Sequence, residues 1–151
     1  MTLAASPASG AARRALLLFG LASALLLARG SGAARAGRGA QKEVTSNAGA
    51  WHVVYECRPE VVPLNETFGL AVRVYEDAAR TRPAAGVELT VDARMPHHGH
   101  GMRREPTVSR AGPGRYEVEG MLLHMPGYWE LYFDVTRGAV TERAQDALEV
   151  D

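Results

Sequence analysis

The chain has 151 residues, 17 basic and 17 acidic, so its formal net charge is zero. The first 36 residues hold four arginines and no acid; without them 13 basic groups face 17 acidic ones, a net charge near −4. A mildly acidic domain has no basic face for a phosphate backbone, which excludes nucleic-acid partners, and a lone cysteine, Cys57, excludes an internal disulfide.

Taken in chain order, Arg13-Arg14 precede an unbroken small and apolar run, Ala15 to Ala28. A basic pair followed by such a run predicts a helical export signal over residues 1–36, with Ala34-Arg35-Ala36 as a small-residue cleavage site. The run falls short of the roughly 20 residues of a comfortable membrane span, so an uncleaved N-terminal anchor is the second reading. Either one puts the protein outside the cytoplasm, free in the periplasm or attached to the inner membrane and facing it. Residues 37–50 read as a flexible tether, and residues 51–151 as one domain.

From Trp51 onward the pattern is period-two alternation, broken by Gly and Pro, with no helical periodicity. Trp51-His52-Val53-Val54-Tyr55 reads as an opening strand. Phe68, Leu70, Val72 and Val74 form one apolar face, and Val87, Leu89, Val91 and Ala93 form another. Ala111-Gly112-Pro113-Gly114 predicts a turn before a strand over Arg115–Gly120. Trp129, Leu131, Phe133 and Val135 face one way, with Glu130, Tyr132 and Asp134 opposite, and a last strand runs from about Val140 to Val150. About seven short strands at this spacing predict an all-β, antiparallel two-sheet sandwich. Such a domain has enough core to fold without metal or disulfides. Cys57 reads as a small buried residue on the first strand, and His52 as structural.

Two short stretches depart from scaffold chemistry. Residues 95–102 read Met-Pro-His-His-Gly-His-Gly-Met, and His124-Met125-Pro126-Gly127 follows later; together they hold four of the five histidines and three of the five methionines. Imidazole and thioether are the ligand set that suits copper, Cu(I) above all, because soft sulfur selects it over hard cations. Pro96 stops the strand ladder, and Gly99 and Gly101 make His97–Gly101 a loop in which several imidazoles can converge. Two predicted strands, Arg104–Arg110 and Arg115–Gly120, separate the stretches, and in a sandwich an even count lets both loops share one end. The candidate ligands are His98, His100, Met102, His124 and Met125. Met95 and His97 stand in reserve, although Met95, like Met121, also suits packing under the loops. Zinc hydrolysis would need carboxylates near the histidines, and none occurs before Glu105; no serine sits in a nucleophile elbow. The competing reading is an interaction module whose His-Gly loop is a rigid turn with no metal role.

The segments Ala93-Arg94-Met95-Pro96-His97-His98-Gly99-His100-Gly101-Met102, Gly114–Met121 and His124-Met125-Pro126-Gly127-Tyr128-Trp129-Glu130-Leu131 resemble the YtkA-like/FixH-like family over roughly residues 51–150. The resemblance implies an immunoglobulin-like, cupredoxin-like sandwich in an exported or membrane-attached bacterial protein. It also implies a non-enzymatic role in handling copper, as a carrier or assembly factor for a copper-receiving oxidase or copper-transport protein. FixH relatives typically carry an N-terminal transmembrane helix, and the shorter apolar run of this chain departs from that pattern.

Overall fold

The computed structural model describes residues 40–151; the predicted export signal and residues 37–39 of the predicted tether lie outside them. Nine strands make up this part of the chain: β1 (Lys42–Thr45), β2 (His52–Arg58), β3 (Thr67–Tyr75), β4 (Glu88–Met95), β5 (His100–Gly101), β6 (Thr107–Gly112), β7 (Arg115–Leu122), β8 (Gly127–Arg137) and β9 (Val140–Val150). They form two antiparallel sheets, β1-β2-β3-β7-β6 and β5-β4-β8-β9, so the all-β sandwich expected from the alternation is the observed architecture. Among the described residues no helix is long and apolar enough to cross a membrane.

The alternation works because successive strand side chains point to opposite faces, so every second residue meets the other sheet. Phe68, Leu70, Val72 and Val74 on β3 and Tyr116 and Val118 on β7 line one inner face; Leu89, Val91, Ala93 and Met95 on β4 and Trp129, Leu131, Phe133 and Val135 on β8 line the other. All four of the β8 residues are fully buried. Phe68 pairs with Met121 and Leu70 with Val118, so β7 carries one extra residue there, a bulge that keeps Val118 and Met121, three positions apart, both buried. Each fully buried side chain of this kind contributes on the order of 1.5–3 kcal/mol. Two tyrosine hydroxyls that reach between the sheets are paired: Tyr55 Oη donates to Asp146 at 2.5 Å, and Tyr116 Oη donates to the Val87 carbonyl at 2.6 Å.

Three expectations are corrected. Residues 42–45, expected within a tether, form β1, in register with His52–Tyr55. The cause is non-local: Ser46, just after β1, is buried, donates through Oγ to Glu142 at 2.6 Å, and accepts the Trp51 amide at 3.0 Å. Its bridge to Ala144 then ties β1 to β9 of the opposite sheet. The strand count of about seven becomes nine, since β1 and the two-residue β5 carry no apolar alternation of their own. Finally, His97–Gly101 is only partly loop: His100–Gly101 rejoins the sheet as β5.

Candidate metal centre

One end of the sandwich collects the connection that leaves β4 and the one that joins β7 to β8, as the even strand count anticipated. After Met95 the chain makes a single 3-10 turn, Pro96–His98, and Gly99 closes it in the left-handed region at φ 68°. A side chain there would be strained, which is why glycine stands between the histidines. The Gly99 amide donates to the Met95 carbonyl at 3.1 Å and to the Pro96 carbonyl at 3.2 Å, and the Met102 amide donates to the Ala93 carbonyl at 3.0 Å.

This tight return sorts the histidines. His100 pairs with Met95, and cross-strand partners share a face, so His100 is turned toward the interior. His97 and His98, in the turn, stay exposed. The second connection, Leu123–Pro126, is pinned from both sides. Fully buried Leu123 accepts the Asn65 amide at 2.8 Å, and the Trp129 indole N–H donates to the Met125 carbonyl at 2.9 Å. His124 lies between these anchors and is half-buried.

The outcome is a short row of imidazoles. The His100 and His124 rings lie 5.2 Å apart between centroids, and His98 lies 5.7 Å from His100 on the outer side. Trp129 forms the inner wall, its centroid 5.6 Å from His124 and 6.2 Å from His100, with both imidazoles steeply inclined to the indole plane. The Nδ1 atoms of His100 and His124 are both buried, and neither has a hydrogen-bond partner among the described residues. An unpaired buried polar atom costs about 1–3 kcal/mol, so two of them side by side call for an explanation. Burial, reinforced by the Arg103 guanidinium and then by His100, holds the His124 imidazole below the usual histidine range. Its ring therefore stays neutral, with a nitrogen lone pair available, down to lower pH than an ordinary histidine.

The other candidates fall into place around this row. Met102 and Met125 are half-buried and pack against the edge of the core, one on each ligand loop. Met95, held in reserve as a ligand, is instead a core residue, 1% exposed, with its methyl against Gly127. Its phase with Leu89, Val91 and Ala93 was the available signal for that placement. Met121 is likewise fully buried. His97, the other reserve residue, is drawn aside, its ring 5.6 Å from that of Tyr128. Cys57 lies in the core on β2, and burial pushes its thiol above the ordinary range. His52 Nδ1 pairs with the Thr45 hydroxyl at 3.2 Å, in keeping with its structural reading. Trp129, read as core, is that and also the wall of the imidazole row. Arg103 had no distinguishing sequence signal.

Among the described residues no three His, Cys, Asp or Glu side chains form a group able to hold a metal ion. Further soft donors on the same two loops are the sulfurs of Met102 and Met125. Two imidazoles with unpaired nitrogens, with a thioether on each of the same two loops, suit a soft monovalent cation and do not suit Mg2+ or Ca2+, which require oxygen.

No family model matches the chain, and no curated protein does. Among solved structures, a copper-bound variant of FetP from uropathogenic Escherichia coli strain F11 is similar over 72% of this chain and 93% of its own, at 9% sequence identity and a TM-score of 0.45.

Proposed function

We propose that this domain is a non-enzymatic copper carrier or assembly factor of the YtkA-like/FixH-like kind that its motifs resemble, holding Cu(I) between its two His/Met loops. One observation carries the reading: His100 and His124 each hold a buried Nδ1 with no partner among the described residues, on rings whose centroids are 5.2 Å apart. In a purely structural turn those nitrogens would be hydrogen-bonded. Met102 and Met125 supply the thioethers, and exposed His98 is the outermost ligand. Cu(I) is favoured over Cu(II) by the soft donors and by the absence of any carboxylate among the candidates. A bound copper ion would be cargo, because the core of the sandwich is complete without it. Partly exposed ligands suit hand-over, to a copper-receiving oxidase or a copper-transport protein. Residues 1–36 would deliver the domain to the periplasm, either cleaved or left as an anchor in the inner membrane.

X-ray absorption of the Cu(I)-loaded chain tests the donor set. A mixed nitrogen and sulfur shell that loses sulfur in Met102→Leu/Met125→Leu is expected; a shell of nitrogen and oxygen alone would overturn it. The rival reading, a rigid interaction turn, draws on the Gly99 closure and its amide, shared between the Met95 and Pro96 carbonyls. It predicts that histidine substitutions lower stability and leave metal uptake unchanged.

A further inference from the structure

Trp129 stands against the two inner imidazoles of the row, His100 and His124, and none of the proposed donor atoms belongs to it. Its side chain is fully buried, its indole N–H is bonded to the Met125 carbonyl at 2.9 Å, and its ring lies 5.6 Å from His124 and 6.2 Å from His100. We propose that Trp129 is the positioning residue of this site: one rigid side chain, anchored in the core, that fixes the two ligand loops relative to each other. The inference rests on the copper reading above.

The His100 loop and the His124 loop come from different connections, and no backbone hydrogen bond between the two is found among the described residues. The β4–β8 ladder brings the two loops to one edge of the sheet but ends at Arg94 and Glu130, so beyond it their spacing is set through side chains. Trp129 is on β8, three residues beyond the second loop, where its backbone is paired with Leu148 of β9 and the next residue, Glu130, with Arg94 of β4. From that base the indole ring stands behind both imidazoles, and its N–H stops the Met125 peptide from rotating. A carbonyl fixed next to a candidate ligand restricts that ligand's side chain, as outer-shell partners do in metal sites, where their loss typically costs about 10–100-fold in affinity. Phenylalanine keeps an aromatic wall but has no N–H, and leucine keeps neither.

The test is Cu(I) affinity by competition with a colorimetric chelator, on the full chain, with Trp129→Phe and Trp129→Leu. A core variant away from the loops, Phe133→Leu, controls for general loosening. The expected result is a loss of about tenfold for Trp129→Phe and more for Trp129→Leu, following the outer-shell range, with Phe133→Leu within about twofold of the parent at a similar thermal shift. The metal-free proteins give a second readout: the His100 and His124 ring resonances should move in Trp129→Phe and stay in place in Phe133→Leu. If Trp129→Phe unfolds, benzothienylalanine at position 129 removes only the N–H and carries the same expectation. An unchanged affinity in the Trp129 variants, or an equal loss in Phe133→Leu, would overturn the positioning role while leaving the copper reading intact. Failure of the parent chain to bind Cu(I) would sink both.

Discussion

Replacing His124 by leucine should stabilise the metal-free protein. His124 brings a buried Nδ1 that no partner satisfies, beside a second such atom on His100. Leaving a buried polar atom unpaired costs about 1–3 kcal/mol, and an apolar side chain of similar size removes that cost. His124 is only half-buried and its contact with Trp129 is partly lost, so a net gain near the lower end, about 1 kcal/mol, is expected. For a domain of this size that corresponds to a rise in melting temperature of about 4 °C, measured by circular dichroism in the presence of a chelator. Copper should reverse the ranking. Free Cu(I) at about 100 times its dissociation constant adds about 2.7 kcal/mol to the parent protein and should add little to the variant. The reasoning would be refuted if the metal-free variant melted several degrees lower than the parent. That result would show that the histidine is a satisfied structural member of the turn, as the interaction-module reading requires.

Acid should destabilise the native state partly through the same residue. The folded form holds His124 below the ordinary histidine value, chiefly by burial and by Arg103 and His100, whereas the unfolded chain takes up a proton near pH 6.5. The unfolded state thus binds more protons just below that value, so the stability from the neutral ring is present above about pH 6.5 and declines as pH falls toward the folded value. Melting curves from pH 8 to 5 should show this slope, and His124→Leu should flatten it. Gly114→Ala should cost more than about 2 kcal/mol by chemical denaturation, because the new Cβ would lie 2.4 Å from the Val74 carbonyl oxygen at φ 59°. Gly138→Ala, at a similar φ of 62° but with open space around it, should cost only about 1 kcal/mol. Cys57, buried with its thiol pushed up, should react with a thiol reagent far more slowly in the native chain than in denaturant, and fast labelling of native protein would contradict the placement.

The strands that could be read from sequence are those whose own side chains carry the pattern. Phe68 to Val74 and Trp129 to Val135 alternate cleanly, and the faces they predict are the buried ones. β1 escaped because its four residues hold one apolar side chain, Val44, and its place is fixed by Ser46 meeting Glu142, 96 positions away. At the site, residue types and strand parity were enough to bring His100 and His124 to one end. Sorting His97 and His98 from His100 needed the left-handed turn at Gly99, which decides which imidazole faces inward. Met95 was legible in principle, since it continues the phase of Leu89, Val91 and Ala93, but its place in the Met-Pro-His-His motif also made it a candidate ligand. The orphaned Nδ1 atoms have no sequence signature, because they depend on contacts that do not form.

The central claim is that these two loops together bind copper, and a Cu(I) titration of the chain beside His98→Ala/His100→Ala/His124→Ala tests it most directly. The account predicts one tightly held equivalent in the parent and a loss of at least about 100-fold in the variant, a drop of roughly 2.7 kcal/mol in binding free energy. Equal binding by the two proteins, or none by either, would contradict it.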